Sequence, residues 1–211
     1  MRLWRNLPPE LVVKVKFCGL KRPCDIVWAN ELHPDYAGFV FAGTKRRVSD
    51  ELAAELRREL DPSIPAVGVF VDDEPKHMAS LVKKGVIQLV QLHGQEDEAF
   101  VQQIQTDLGV PVIKAFSIAN QDDVTRALES RADYILLDQG KGGTGKAFDW
   151  SLLKGIGRPY FLAGGLTPQN AVQAAALQPY ALDVSSGIET DGVKDREKMT
   201  LFMTTLGVYR R

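Results

Sequence analysis

Two side chains that can transfer protons each stand at the end of an apolar run. Cys18 follows VVKVKF (12–17), and Asp138 ends YILLD. A thiolate can act as a base and a carboxyl as an acid, so this pair could catalyse a proton-transfer reaction. Each residue also has a structural alternative, because a lone cysteine is usually a small buried hydrophobe and a carboxylate often caps a loop or helix. Asp183, within YALDV, is open to the same two interpretations.

Three stretches rich in glycine or serine also follow apolar runs, and they are suited to binding an anion. Glycine lets backbone amides approach an anion closely, and the start of a helix adds a partial positive charge. The alternative is that these glycines only form tight turns, but their recurrence after three successive runs favours a phosphate site. The candidate phosphate-binding residues are Gly142, Gly143, Gly145, Gly164, Gly165, Ser185, Ser186 and Gly187.

The elements that must position these residues alternate regularly along the chain. Eight short apolar runs predict strands, and the segments between them, DWSLLKG included, have helical character. Capping side chains at Ser49, Asn120 and Thr167 predict the starts of three helices. Repeated alternation of this kind predicts a parallel sheet in an α/β fold, and eight units favour a closed (β/α)8 TIM barrel over an open, doubly wound sheet. The predicted strands cover 12–17, 36–41, 66–71, 87–92, 110–116, 133–137, 159–163 and 180–184.

The length of the chain fits one such barrel with short loops. The 211 residues are 45% hydrophobic and 25% charged, as in a soluble globular protein. A (β/α)8 barrel usually takes about 250 residues and at least about 200. We therefore predict a single domain over 1–211, in which 1–12 form an extension before the first strand.

The barrel hypothesis brings the chemically interesting residues to one end. Barrel enzymes place their active sites at the carboxyl ends of the strands and bind phosphate with the loops after strands 7 and 8. Alternation along the first strand puts Lys16 and Cys18 on one face, and Val15 and Phe17 on the other. The apolar face should meet the helices, so Lys16 and Cys18 should point inward. We expect the Lys16 ammonium to lower the pKa of the thiol.

Composition argues against several classes of partner. With a net charge of −1 and a pI near 6.3, no broad basic field favours nucleic acid. The first residues contain no apolar run long enough for a signal peptide or a membrane span, so a cytoplasmic location without membrane attachment is expected. The two cysteines and three histidines lack the spacing of metal ligands, so we expect no metal site.

The sequence from Val13 onward also resembles the phosphoribosylanthranilate isomerase family. The matching stretches, in the order and spacing of that family, are KFCGL, AGFVF, TKRRVS, VGVFV, QLHG, LLD, GGTGKAFDW, LAGGLTPQN and LDVSSGIE. Each stretch alone is weak, but their combination is highly specific. The related isomerase of histidine biosynthesis uses aspartate where this chain has Cys18. A non-catalytic phosphosugar-binding barrel would need neither Cys18 nor Asp138.

The resemblance implies a (β/α)8 isomerase of tryptophan biosynthesis that works without a cofactor. Its substrate would be a phosphorylated small molecule, N-(5-phosphoribosyl)anthranilate, rearranged by general acid–base catalysis. Other enzymes of the pathway are implied as candidate partners.

The same resemblance assigns roles to individual residues. Cys18 corresponds to the general base and Asp138 to the general acid, whereas His93 and Asp183 line the site. Arg46 corresponds to the residue that holds the anthranilate carboxylate. Its neighbour Arg47 is the alternative for that role, and the glycine-rich loops would hold the phosphate.

Overall fold

A computed structural model describes residues 13–43, 45–139 and 149–207, and these residues build a closed parallel barrel. The eight strands pair in chain order, and β8 closes the barrel by pairing with β1. The strands are β1 (Lys14–Cys18), β2 (Tyr36–Val40), β3 (Ala66–Phe70), β4 (Leu89–Leu92), β5 (Val112–Ile118), β6 (Tyr134–Gln139), β7 (Tyr160–Leu162) and β8 (Ala181–Val184). The predicted (β/α)8 architecture is confirmed.

Helices follow the strands and cover the outside of the barrel. The α-helices are α1 (Pro23–Leu32), α2 (Asp50–Glu59), α3 (Pro75–Lys83), α4 (Glu98–Leu108), α5 (Gln121–Glu129), α6 (Ala171–Ala175) and α7 (Arg196–Thr205). Two helix starts carry the caps that the sequence predicts. Ser49 accepts a hydrogen bond from the amide of Leu52, and Asn120 accepts one from the amide of Asp123. These caps satisfy amides that have no partner within the helix.

The hydrophobic core has two parts, as the alternation along the strands requires. Val15 and Phe17 face outward and are fully buried beneath the helices, whereas Lys16 and Cys18 face into the barrel. Burying a side chain such as Phe17 contributes about 1.5–3 kcal/mol. The residues that fill the barrel interior are Tyr36, Val67, Leu89, Ile113, Ala115, Leu136, Phe161, Ala163 and Ala181. Because the interior is packed, the site must lie at the end of the barrel.

Two of the predicted helical segments differ from expectation. The segment DWSLLKG forms only a 3-10 turn, Trp150–Leu153. The helix expected to begin at Thr167 begins instead at Ala171. Asn170 accepts a hydrogen bond from the Thr167 amide and donates one to the Gly165 carbonyl. Its side chain thus competes with helical hydrogen bonding and holds the preceding residues in a turn.

A short hairpin that the sequence did not predict follows β8. It consists of β9 (Glu189–Thr190) and β10 (Val193–Lys194), paired in antiparallel fashion. Asp191 and Gly192, which join the two strands, both have positive φ, as a two-residue hairpin turn requires. The hairpin brings Glu189 and Lys194 to the carboxyl end of the barrel, next to β1.

Some predictions concern residues that the structure does not describe. The proposed extension 1–12 and the phosphate-binding candidates Gly142, Gly143 and Gly145 lie outside the described residues. Among the helices of 13–43, 45–139 and 149–207, none combines the length and the apolar character needed to cross a membrane.

Candidate active site

The Cys18 thiol lies at the carboxyl end of β1, where it is 8% exposed. The Ser185 hydroxyl donates to the Cys18 carbonyl at 3.0 Å, so β8 and β1 are tied together beside the thiol. Lys194 donates to the Ser185 carbonyl at 3.1 Å. The backbone of Cys18 is thus held in place by Ser185, which follows β8, and Ser185 in turn is bound by Lys194 of the hairpin.

Directly below the thiol, Lys16 and Asp183 form an ion pair inside the barrel. The Lys16 ammonium is fully buried and lies 3.0 Å from both carboxylate oxygens of Asp183. Burial lowers the pKa of Lys16, but the charge of Asp183 and the hydrogen bond outweigh it, so the pKa is raised and the ammonium stays protonated. Asp183 therefore balances a buried charge at the floor of the site.

Lys16 lowers the pKa of the Cys18 thiol, as expected, but the pKa is nevertheless raised above its ordinary value. Burial raises the pKa of the thiol more than the neighbouring Lys16 ammonium lowers it, and the nearby Asp183 carboxylate raises it further. Lys16 acts in the predicted direction, but desolvation of the thiolate is the larger effect. In the free protein, Cys18 is therefore predominantly a neutral thiol at pH 7.

A second ion-pair group, made of Arg46, Glu189 and Lys194, lies beside the thiol. Arg46 donates through Nε and Nη2 to the two oxygens of Glu189, both at 2.8 Å, and Lys194 donates to the same carboxylate at 2.5 Å. Burial raises the pKa of Glu189, but its hydrogen bond from Arg46 and the charge of Lys194 lower it to about 2. Glu189 is therefore a permanent anion that orients Arg46.

Arg46 still has donors for a second carboxylate. A guanidinium carries five N–H groups, and Glu189 takes two of them. The Nη1–Nη2 edge remains, which suits end-on recognition of a carboxylate. Arg46 packs over Gly19, and a Cβ at position 19 would lie 2.6 Å from the Arg46 Cδ. Only glycine at this position therefore lets Arg46 lie so close to the neighbouring Cys18. Arg47 is exposed, and the geometry favours Arg46 over it.

The charges around Cys18 leave a positive balance. Lys16, Lys194 and Arg46 supply three cations, and Asp183 and Glu189 supply two carboxylates. One positive charge is therefore left uncompensated within the group, which favours an anionic substrate next to the thiol.

The other half of the site contains His93 and Asp138. Nε2 of His93 lies 3.6 Å from Oδ2 of Asp138, which is too far for a hydrogen bond. The two atoms are near enough for both to contact the same atom of a substrate. The other carboxyl oxygen of Asp138 accepts from the Gln139 amide at 2.7 Å. Both side chains remain accessible, with 36% of His93 and 20% of Asp138 exposed. The Asp138 carboxyl is thus anchored through one oxygen and open at the other.

An open cavity of about 420 Å³ lies against this half of the site, at the ends of β4, β5 and β6. Its lining includes His93, Glu96, Lys114 and Asp138. The Lys114 ammonium donates to the Glu96 carboxylate at 2.7 Å and to the Gly94 carbonyl at 2.8 Å. These buried contacts hold the loop after β4 in place, and with it the backbone of His93.

The loops after β7 and β8 close the remaining side of the site. Gly164 has φ +85°, and a Cβ there would lie 2.6 Å from Oδ1 of Asp138, so this glycine lets the β7 loop contact the Asp138 carboxyl. The Ser185 hydroxyl, predicted to bind phosphate, is engaged with Cys18 and Lys194. Gly165 and Ser186 belong to the same two loops, and their backbone amides are groups of the kind that bind an anion.

Among the described side chains, no cluster of three or more His, Cys, Asp or Glu residues is placed to hold a metal ion. A thiol, a carboxyl and an imidazole at the carboxyl end of a (β/α)8 barrel, beside a net positive charge, define an enzyme of acid–base chemistry on a small anionic substrate.

Comparison with known proteins gives the particular family. The chain belongs to the N-(5'-phosphoribosyl)anthranilate isomerase family. The sequence model of that family, described as "N-(5'phosphoribosyl)anthranilate (PRA) isomerase", matches residues 15–205. A relative of that name from Lachnoclostridium phytofermentans is 42% identical over 209 residues, which cover 90% of this chain and 96% of the relative. The family resemblance stated from the motifs is confirmed.

Solved structures agree with this assignment. Phosphoribosyl anthranilate isomerase from Thermotoga maritima superposes with a TM-score of 0.86 at 37% identity, covering 93% of this chain and 99% of the other. A phosphoribosyl anthranilate isomerase in complex with reduced 1-(o-carboxyphenylamino)-1-deoxyribulose 5-phosphate superposes with a TM-score of 0.84 at 36% identity, with the same coverage. This chain therefore has the barrel of this family and is an isomerase.

Proposed function

We propose that this protein converts N-(5'-phosphoribosyl)anthranilate into 1-(o-carboxyphenylamino)-1-deoxyribulose 5-phosphate in tryptophan biosynthesis. The reaction moves protons and needs no electron transfer, so side chains can supply all of the catalysis. The observation that carries the proposal is the placement of Cys18 and Asp138, a thiol and a partly open carboxyl, at the same end of one barrel, with the free edge of Arg46 nearby.

In the first step, Asp138 acts as the general acid. It donates a proton to the ring oxygen of the ribose as the anilino nitrogen forms a C=N bond, which opens the ring into an iminium ion. Oδ2 is suited to this role because Oδ1 is held by the Gln139 amide. His93 lies beside Oδ2, where it can contact the same oxygen of the substrate.

In the second step, Cys18 acts as the general base. Its thiolate removes the proton from C2' of the sugar, and the electron pair of that C–H bond neutralises the iminium ion and gives an enol with an amine. The enol converts to the ketone when its C2' hydroxyl loses a proton and C1' gains one, and exchange with solvent restores the starting protonation of Cys18 and Asp138. Lys16, buried next to the thiol, stabilises the thiolate against the larger cost of burial.

The two ends of the substrate are anions, and the site offers a partner for each. The free guanidinium edge of Arg46 binds the anthranilate carboxylate. The backbone amides of Gly165 and Ser186, on the loops after β7 and β8, bind the phosphate, as such loops do in many barrels. Substrate bound in this way places its reacting carbons between Cys18 and Asp138.

The direct test is turnover of the substrate by the purified protein. The anthranilate fluorescence of the substrate should be lost on addition of protein, and the gene should rescue a tryptophan auxotroph that lacks this isomerase. A folded protein that does neither would refute the proposal. Turnover of the corresponding histidine-pathway substrate alone would indicate the rival isomerase.

Replacing Arg46 by alanine should raise KM about 10- to 100-fold with a smaller effect on kcat. The change removes charge-assisted hydrogen bonds to the substrate carboxylate, each worth about 1.5–3 kcal/mol. Glu189 retains Lys194 as a partner, so the fold should persist. Steady-state kinetics of Arg46→Ala, with Arg47→Ala as the matched control, check this. If only Arg47→Ala raises KM, the carboxylate is bound by Arg47.

Inorganic phosphate should inhibit competitively at about 10 to 50 mM, because helix and loop amides bind anions without a dedicated charged side chain. Initial rates at several substrate concentrations, with sodium chloride at matched ionic strength as the control, measure the inhibition. Inhibition that chloride reproduces, or that lowers kcat without affecting KM, would argue against a phosphate site at Gly165 and Ser186.

A further inference from the structure

A continuous chain of hydrogen bonds crosses the barrel interior from Asp183 to His93. Asp183 accepts from the Lys16 ammonium at 3.0 Å, and Lys16 also donates to Oε1 of Gln91 at 2.9 Å. Nε2 of Gln91 then lies 2.9 Å from Nδ1 of His93. Gln91 is only 1% exposed, so water cannot replace these partners. The chain joins the group around Cys18 to the group around Asp138.

The direction of every bond in this chain follows from Lys16. A protonated ammonium is a donor only, so it requires an acceptor from each partner. Gln91 must therefore turn its amide oxygen toward Lys16, which leaves its NH2 group facing His93. The opposite amide orientation would bring N–H groups against the ammonium in a buried position, where unpaired polar groups are costly.

The orientation of Gln91 in turn determines the protonation of His93. Because the Gln91 NH2 group donates to Nδ1, that nitrogen must present a lone pair. A neutral imidazole has one protonated nitrogen, so the proton lies on Nε2. Nε2 is the atom that faces Oδ2 of Asp138 at 3.6 Å.

We infer that Gln91 is a positioning residue that holds His93 as the Nε2–H tautomer, with its N–H directed at Asp138. When Asp138 gives its proton to the ring oxygen, a negative charge appears on the carboxyl. A small approach of the two side chains allows Nε2–H to donate to that carboxylate. In the opposite tautomer, Nε2 would present a lone pair to the new negative charge of Asp138. The tautomer that Gln91 selects therefore favours proton donation by Asp138.

The tautomer can be measured directly by 15N NMR of the histidine side chains. Spectra of His33→Gln and His77→Gln variants identify the His93 signals. In the unaltered protein we expect Nδ1 of His93 to show the shift of an unprotonated nitrogen and Nε2 that of a protonated one. In Gln91→Glu, a carboxylate accepts from both neighbours, so Nδ1 should become protonated. A protonated Nδ1 in the unaltered protein overturns the inference, even if the variant fails to fold.

The kinetic consequence rests on the proposed function. Gln91→Glu should lower kcat about tenfold with little change in KM, less than the about 10²-fold or more that an acid–base group itself contributes. Gln88→Glu is the matched control, because Gln88 precedes the same strand and its side chain bonds to the backbone of Ala66 and Gly85. If Nδ1 of His93 becomes protonated in Gln91→Glu but kcat does not fall, Gln91 has no role in catalysis. If the unaltered protein shows the expected tautomer but no turnover, the proposed function fails while the tautomer assignment stands.

Discussion

Replacing Cys18 by alanine is expected to lower kcat by at least about 10³-fold, the middle of the range for a general base. The change removes the group that takes the proton from C2' but leaves Arg46 and the glycine-rich loops, which bind the substrate. KM should therefore change little. The site should also tolerate the smaller side chain, because the Cys18 carbonyl still accepts from Ser185.

Cys24→Ala provides the matched control, since it removes the other cysteine of the chain. Circular dichroism and thermal unfolding of both variants test whether the barrel persists. A folded Cys18→Ala protein with near-normal kcat would show that the base lies elsewhere. An equal loss in Cys24→Ala would indicate that the effect is not specific to the site.

The raised pKa of Cys18 can be tested by alkylation of its thiol in a Cys24→Ser background, which removes the other thiol of the chain. A thiol with the reference pKa of about 8.5 is about 3% thiolate at pH 7, and Cys18 should be less ionised than that. Alkylation by iodoacetamide, which requires the thiolate, should therefore rise about tenfold per pH unit and still be rising at about pH 9. A plateau near neutral pH would show that the surrounding cations outweigh burial.

The fold could be predicted from the sequence because its signals are local and repeated. Alternation in β1 placed Phe17 outward and Lys16 inward, and the structure has both in those positions. Helix starts were correct where capping residues determine them, as at Ser49 and Asn120. The start at Thr167 was wrong because the side chain of Asn170 holds the preceding loop, a contact that the 3.6-residue pattern does not contain.

The site was only partly predictable. Strand ends indicated Cys18 and Asp138, but the importance of Glu189 and Lys194 depends on a hairpin that brings them against β1. The Asp191–Gly192 pair was the available signal for that hairpin. Gln91 stands two residues before His93 in a buried strand, so alternation could have placed both on one face. Its bond to Lys16, however, joins residues far apart in the sequence and requires the closed barrel.

Burial explains why the pKa of the thiol is raised although Lys16 lies beside it. The sequence places a cation beside Cys18 but does not state how much water reaches the two side chains. In the closed barrel Lys16 is fully buried and already paired with Asp183, so its effect on the thiol is partly cancelled. The cost of moving a thiolate out of water is then the larger influence on the pKa.

Replacing Asp138 by asparagine is expected to lower kcat at least about 10³-fold, because the amide keeps the shape of the carboxyl but supplies no acidic proton. The Gln139 amide can still donate to the side-chain oxygen, so the local structure should persist. Asp122→Asn, at an exposed position in the first turn of α5, is the matched control. Steady-state kinetics with both variants measure the loss.

The size of the loss alone does not separate an acid from a group that merely orients the substrate, but isotopic substitution does. If Asp138 protonates the ring oxygen, Asp138→Asn makes ring opening rate-limiting, and that step precedes cleavage of the bond at C2'. Substrate with deuterium at C2' should then react with Asp138→Asn as fast as ordinary substrate. Cys18→Ser, which weakens the base instead, should show a large isotope effect. A large isotope effect in Asp138→Asn would mean that Asp138 acts in the second step, and that the acid of ring opening must be sought among other groups.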